Sequence, residues 1–96
     1  MKSQILIGKG VKYMKRNEYR TKLKGVRIAS GMTQSELAEE ADLNVRVLQN
    51  YEQGTKNLDH SRIDTILKIC LALKCDFSDI IENEDFIALW NDYHNR

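Results

Sequence analysis

Two short helical patterns joined by a tight corner lie between residues 33 and 54 (TQSELAEEADLNVRVLQNYEQG), and this segment constrains the fold most strongly. Apolar residues recur at helical spacing on both sides of residues 42–44, which form a corner of only three residues. Thr33 and Glu36 have the spacing of a capping box, and Asn44 is a favourable N-cap for the second helix. The segment predicts a helix-turn-helix arrangement, and an ordinary helical bundle with a tight corner is the alternative.

Helix-period patterns continue on both sides of this segment and predict one all-α domain of five helices. The predicted helices cover residues 18–30, 34–41, 45–52, 62–74 and 78–83. Ser61 and Asp64 have the spacing of a second capping box, at the start of the fourth helix. One apolar stripe of that helix is expected in the core: Ile63, Ile66, Leu67, Cys70 and Leu73.

The chain divides into an N-terminal basic arm of uncertain order (1–17), the helical domain (18–83) and a C-terminal helical tail (84–96). The tail carries more apolar side chains than a solvent-exposed terminus needs. One interpretation is a dimer surface that includes Ile87, Trp90 and Tyr93. The other is a tail that folds back and completes the core of the monomer.

Charge is distributed unevenly, although the net charge is only +1. Residues 1–31 hold nine Lys and Arg against one acid, a surplus of +8, whereas residues 32–60 hold two against six and residues 61–96 hold four against seven. A polyanionic partner therefore fits one side of the protein, and a solvated basic tail is the alternative. The basic side chains that could contact a phosphate backbone are Lys9, Lys12, Lys15, Arg16, Arg20, Lys22 and Lys24.

Several classes of protein are not supported by the residues present. Cys70 and Cys75, with distant His60 and His94, lack zinc-site spacing, so we expect no metal and no cofactor, and Cys70 is expected in the core. A disulfide between Cys70 and Cys75 is the lesser alternative, and this cysteine content indicates a cytoplasmic protein. No apolar run approaches the roughly 18 residues of a membrane span, and the N-terminus does not have the pattern of a signal peptide. No glycine-rich phosphate loop or catalytic constellation indicates an enzyme.

The stretch MTQSELAEEADLNVRVLQNYEQG, followed by RIDTILKICLALKCDFSDII, strongly resembles the phage-repressor and Cro-like helix-turn-helix DNA-binding family over about residues 19–82. The resemblance rests on Thr33-Gln34, Leu37-Ala38, the apolar corner residue, Leu48 and the closing Tyr-Glu-Gln-Gly. Two features depart from the family pattern. Asp42 occupies the corner position where Gly is usual, and the loop after Gly54 is longer and lacks the usual Pro.

The resemblance implies a sequence-specific DNA-binding transcriptional regulator that reads the major groove of double-stranded DNA with helix 45–52. Arg46 has two donors for guanine, Gln49 or Asn50 can pair with adenine, and a valine can touch a thymine methyl. The predicted base contacts are Val45, Arg46, Val47, Gln49 and Asn50. The predicted phosphate contacts are Gln34, Gln53, Thr55, Lys56 and Asn57.

The family also pairs residues at the positions of Arg27 and Glu52 in a partly buried ion pair, which implies a structural role for both here. Such proteins usually bind two-fold DNA sites as homodimers. The alternative function is a protein-interaction module, an antitoxin or accessory factor that holds a partner protein through residues 84–96. In that case DNA binding is secondary.

Overall fold

The computed structural model describes residues 19–95, and within them it contains helices and no strands. Residues 19–95 form six α-helices: α1 Lys22–Ser30, α2 Gln34–Glu40, α3 Val45–Gln53, α4 Ile63–Leu73, α5 Phe77–Ile80 and α6 Glu84–His94. A single 3₁₀ turn, Leu58–His60, lies between α3 and α4. The predicted all-α class and the helix-turn-helix formed by α2 and α3 are confirmed.

Local capping positions both helices of the helix-turn-helix. The Glu36 N–H donates to Thr33 Oγ1 at 3.0 Å, and the Thr33 N–H donates to Glu36 Oε1 at 2.9 Å, which completes the predicted capping box. Asn44 Oδ1 accepts a hydrogen bond from the Arg46 N–H at 2.7 Å and so caps α3. Gly54 ends α3 in the left-handed region, with φ of 80°. These contacts satisfy backbone groups that a helix end leaves without partners.

The corner between α2 and α3 uses Asp42 in the conformation that usually favours glycine. Its φ is 56°, a region that Asp visits more readily than most residues. The following Leu43 N–H donates to the Ala38 carbonyl at 2.8 Å, and the half-buried Leu43 side chain packs on the core. The departure from the family pattern is therefore accommodated without losing the corner.

The predicted capping box at Ser61 and Asp64 is wrong. The N-cap of α4 is Arg62, and no side chain caps that helix. Ser61 Oγ instead donates to the Leu58 carbonyl at 2.7 Å, so the hydroxyl closes the preceding 3₁₀ turn. Asp64 accepts hydrogen bonds from Arg62 Nε and Nη2 at 3.0 and 3.1 Å, and this contact lowers the pKa of its carboxyl.

Two other helix starts differ from the prediction because a neighbouring residue provides the cap. The first helix begins at Lys22, since Thr21 is its N-cap and accepts from the Lys24 N–H at 3.3 Å. The fifth helix is Phe77–Ile80, since Asp76 is its N-cap and forms a capping box with Asp79.

The core gathers side chains from α1 to α5, and its most deeply buried members are Leu37, Leu48, Ile69 and Ile81, each fully inaccessible to solvent. The predicted apolar stripe of α4 is only partly correct. Ile66, Cys70 and Leu73 are buried as predicted, but Ile63 and Leu67 are 50% and 40% exposed. Ile69, which the predicted stripe did not include, is fully buried. The packed neighbours of α4 cover a narrower arc of the helix than its apolar residues occupy. Cys70 and Cys75 are free thiols.

The C-terminal helix α6 lies against the core through Phe86, Ile87 and Trp90. The Trp90 and Phe77 rings stack with centroids 4.5 Å apart, and Phe86 meets Phe77 edge-on at 5.0 Å. Ring pairs at these separations are favourable beyond the area they bury. Residues 84–95 are thus packed onto the helical domain rather than extended away from it.

Candidate nucleic-acid interface

Helix α3 has one face in the core and one face in solvent. Leu48, Tyr51 and Glu52 are buried, and they hold the helix against the rest of the domain. Val45 and Arg46, at its N-terminal end, are exposed. A helix held along one side in this way presents its opposite side to a partner without rearrangement.

The five predicted base-contact residues do not share one environment. Gln49 and Asn50 are half-buried, beyond the exposed Val45 and Arg46 along the outer face. Val47 is also half-buried, but it packs against the core. Val45, 37% exposed, is therefore the valine more available to a thymine methyl.

A hydrogen-bonded network joins α1, α2 and α3 behind this face. Arg27 Nε donates to Glu52 Oε2 at 2.6 Å, and Arg27 Nη2 donates to Glu52 Oε1 at 3.0 Å. Gln34 Nε2 donates to the same Glu52 Oε1 at 3.0 Å, and Gln49 Nε2 donates to Gln34 Oε1 at 3.3 Å. Glu52 is only 1% exposed. The residues predicted separately as ion pair, phosphate contact and base contact form one continuous chain of contacts.

Two contacts of Glu52 were not predicted from the sequence. Its carboxylate binds Gln34, which lies 18 residues earlier, and its backbone carbonyl accepts a hydrogen bond from Thr21 Oγ1 at 3.0 Å. The spacing along the chain carries no signal for either contact, because both partners belong to other helices or their caps. They attach the C-terminal end of α3 to α1 and α2.

The loop after α3 is folded back on the helix. The Thr55 and Lys56 N–H groups donate to the Asn50 carbonyl at 3.0 and 3.2 Å, and Thr55 Oγ1 lies 3.3 Å from Asn50 Oδ1. Asn57 Oδ1 accepts from the Asp59 N–H at 2.9 Å and caps the 3₁₀ turn. Thr55 and Asn57 thus make local hydrogen bonds, and they are exposed, as are Gln53 and Lys56.

The basic residues before α1 take different positions. Arg20 is exposed, and its side chain borders the loop after α3. If Gly54 carried a Cβ atom, that atom would lie 3.6 Å from Arg20 Cδ. Lys22, expected to follow phosphates, instead donates through Nζ to the Ser78 and Ile81 carbonyls at 2.9 and 2.8 Å. Carbonyls at the end of α5 are strong acceptors, which explains this correction. Lys9, Lys12, Lys15 and Arg16 lie outside the described residues.

The predicted dimer residues of the tail are divided between the core and solvent. Ile87 and Trp90 pack on the core, as expected if the tail completes the monomer. Tyr93 is 63% exposed, and Leu89 beside it is 67% exposed. The homodimer itself stays a prediction.

Two further observations bear on other classes of site. Within residues 19–95, His, Cys, Asp and Glu side chains nowhere gather in a group of three that would hold a metal ion. Each helix of that region is too short or too polar to cross a lipid bilayer.

Comparison with known proteins identifies the family. The chain matches the family model described as the Cro/C1-type HTH DNA-binding domain over residues 22–85, which is more than half of its length and includes α1 to α5. Neither the curated proteins nor the solved structures contain a match. The buried ion pair, the capped corner and the outward face of α3 all lie within the matched span. The chain belongs to the Cro/C1-type helix-turn-helix DNA-binding domain family.

Proposed function

We propose that this protein is a transcriptional regulator that binds a specific sequence of double-stranded DNA through α3. One observation carries the proposal. The only acidic side chain of α3, Glu52, is 1% exposed and is neutralised by Arg27, so the outward face offers a cation, two amides and a valine to a polyanion. Such a set is suited to base edges in the major groove.

Each outward side chain has a role that follows from its chemistry. Arg46 is assigned to guanine O6 and N7, because its guanidinium has two parallel donors. Asn50 or Gln49 is assigned to adenine, and Val45 to a thymine methyl. Gln49 is already held by Gln34, so its orientation is set before DNA arrives.

Phosphate contacts set the register of α3 in the groove. Three of the predicted phosphate contacts lie at the ends of the helix-turn-helix or just after it: Gln34, Gln53 and Lys56. Thr55 and Asn57 make the local hydrogen bonds of the loop that carries Lys56. Arg20 adds a cation beside that loop. Residues 1–17 precede Arg20 in the sequence and carry further cations.

The test is fluorescence anisotropy of the full chain with duplexes that tile its upstream DNA, beside a random duplex, at two salt concentrations. We expect one tile to bind roughly 10³-fold more tightly than random DNA. Arg46→Ala should weaken that binding by about 10-fold to 100-fold, because a bidentate base contact is lost. Arg62→Ala is the matched control, since it removes an exposed arginine from the start of α4.

Equal and weak binding to every tile would contradict the proposal. The family and fold would stand, and residues 84–96 would become the segment to test for a partner protein. Binding to one tile that Arg46→Ala does not change would keep the DNA-binding function and overturn the assignment of Arg46.

A further inference from the structure

A cleft lies between the start of α1, the C-terminal end of α3, the 3₁₀ turn and the segment after α5. Its volume is about 230 Å³, whereas sites for drug-sized ligands begin at roughly 300 Å³. It therefore suits a molecule no larger than one ring or a short alkyl chain. We call this space the α3–α5 cleft, and its walls include the apolar residues Leu23, Leu58 and Ile80 together with Tyr51, Asp59 and Glu82.

Tyr51 brings a polar group without a protein partner to the cleft. Its side chain lines the cleft and is only 6% exposed, and its hydroxyl forms no hydrogen bond with any residue between 19 and 95. The hydroxyl keeps some access to solvent, because the fully enclosed unpaired polar atom of that region is Trp90 Nε1. A polar group so placed takes its partner from water or from a ligand. The cleft is the space from which Tyr51 can obtain one.

Two carboxylates of the cleft are held in place by backbone donors. Asp59 Oδ1 and Oδ2 accept hydrogen bonds from the Glu82 and Asn83 N–H groups at 3.0 and 2.9 Å. Glu82 Oε2 accepts from the Lys22 N–H at 2.6 Å. These donors are neutral, so they fix the positions of the carboxylates and leave their charges in place. Each carboxylate has further lone pairs with which it can accept from a ligand.

The balance of charge at the cleft favours a cationic ligand. Lys56 is the cation among the described wall residues, so one positive charge stands against those of Asp59 and Glu82 and leaves a surplus of one negative charge. The Lys22 ammonium is engaged at the end of α5, where Nζ donates to the Ser78 and Ile81 carbonyls. A ligand that brings donors and a positive charge therefore complements the cleft better than an anion.

We propose that the α3–α5 cleft binds a small primary ammonium compound with an apolar body. An ammonium group has three donors and no acceptor, which matches the acceptors that Tyr51, Asp59 and Glu82 offer. Hydrogen bonds between ionised groups are stronger than those between neutral groups. The apolar body lies against the aliphatic wall of the cleft and is removed from water there. Monoamines and free amino acids with apolar side chains share this chemistry.

A ligand in the cleft is connected with the DNA-binding side through α3 and the loop that follows it. Tyr51 belongs to α3, and Lys56, a predicted phosphate contact, also lines the cleft. The ligand restricts the positions open to Lys56, so we expect it to change DNA affinity. DNA must then change ligand affinity by the same factor. This step rests on the proposed function, whereas ligand binding without DNA does not.

Titration of the full chain with phenethylamine, followed by amide NMR spectroscopy without DNA, tests the site. We expect saturable shifts at the cleft residues, with a dissociation constant of about 1 mM or lower. Phenylpropionate carries the opposite charge on the same body, and ethylamine lacks the ring, so each should bind at least about tenfold more weakly. L-Phenylalanine separates the two sources. Tighter binding than phenethylamine would indicate amino acids, with Lys56 on the carboxylate, and weaker binding would indicate monoamines.

Two conservative variants test the residues assigned to the ammonium group. Tyr51→Phe keeps the ring and removes the hydroxyl, and Glu82→Gln keeps an acceptor and removes the charge. Each should weaken phenethylamine binding about tenfold, because a hydrogen bond to a charged group is lost or reduced. Tyr93→Phe and Glu40→Gln are the matched controls, since both residues are exposed and lie outside the cleft. The controls should bind like the wild type, and circular dichroism melts should show every variant folded.

Three results would overturn the site. The first is the absence of saturable shifts with phenethylamine up to about 10 mM. The second is phenylpropionate binding as tightly as phenethylamine does. The third is an affinity for phenethylamine that neither Tyr51→Phe nor Glu82→Gln changes. Specific DNA binding that saturating phenethylamine leaves unaltered would overturn the coupling and keep the site. A chain that binds phenethylamine as expected but binds no DNA sequence would contradict the proposed function alone.

Discussion

Glu52 shows at the scale of one residue how the candidate interface is held in place. Its buried carboxylate accepts hydrogen bonds from Arg27 and Gln34, and its carbonyl accepts one from Thr21. A single side chain thus connects α3 with α1 and α2. Because Glu52 sits near the end of α3, we expect loosening there to change the orientation of the face that carries Arg46.

Glu52→Gln tests this role. The variant leaves the nearly buried Arg27 guanidinium without its counter-ion, so we expect the free energy of unfolding to fall by about 3 kcal/mol. Specific DNA affinity should fall as well. Urea unfolding and anisotropy measure the two effects, and Asp64→Asn, which breaks an exposed pair, is the control. Unchanged melting temperature and unchanged DNA affinity would contradict a structural role for the pair.

Two non-glycine residues, Asp42 and Lys74, each adopt a φ of 56°. The left-handed region crowds a Cβ against the backbone, so glycine relieves strain at such positions. Asp42→Gly and Lys74→Gly should each raise the free energy of unfolding by up to about 1 kcal/mol, since part of the relief is offset by the flexibility of glycine in the unfolded chain. Thermal melts of both variants measure the change. Destabilisation of both would show that strain at these positions is negligible.

At the scale of an element, α6 is attached to the domain by aromatic packing. Trp90 stacks on Phe77, and within the described residues its buried Nε1 has no hydrogen-bond partner. The contribution of Trp90 is therefore that of an apolar ring. This arrangement also explains why a segment so rich in apolar residues need not be an interface along its whole length.

Substitutions of Trp90 separate packing from self-association. Trp90→Phe keeps a ring on Phe77 and removes an unsatisfied donor, so stability should change little. Trp90→Ala should lose about 2 kcal/mol or more, because it leaves a void beside a half-buried site. Denaturant unfolding measures both, and light scattering reports the oligomeric size. Equal stability of the two variants would show that α6 is not packed through this ring.

At the scale of the whole molecule, the uneven distribution of charge along the chain is more informative about DNA binding than the net charge is. The surplus of cations lies before residue 32, and Arg20, the last of them before α1, borders the loop after α3. Acidic residues occupy α2 and the corner, whereas the one acidic residue of α3, Glu52, is buried. We infer that the protein approaches DNA with the start of α1 and the helix-turn-helix together.

Deleting residues 1–13 removes Lys2, Lys9 and Lys12 and tests the contribution of the arm. Each lost phosphate contact should reduce the slope of log affinity against log salt by about 0.9, and binding should weaken to specific and random DNA alike. Anisotropy titrations over a salt series measure the slope. Lys74→Ala, which removes one exposed cation from the end of α4, is the control. An unchanged slope would mean that the arm makes no contact with phosphates.

The sequence by itself determined the local structure of this protein. The capping box at Thr33, the Asn44 cap and the stop at Gly54 follow from residues within four positions of one another, so short patterns are sufficient to predict them. The left-handed conformation of Asp42 was indicated only by the glycine that the family usually has there. Helical spacing also predicts which side chains of α3 face outward. Helix-period patterns predicted the all-α class, and the family resemblance added the expectation of DNA binding.

Only the tertiary structure decided which side of each helix is covered and where long side chains find partners. Lys22 turns to the end of α5, Gln34 reaches Glu52, and Leu67 remains exposed although its spacing placed it in the core stripe. Each outcome depends on a neighbour distant in the chain. Apolar periodicity identifies a face that can be buried, but the arc that is buried depends on the helices that pack against it.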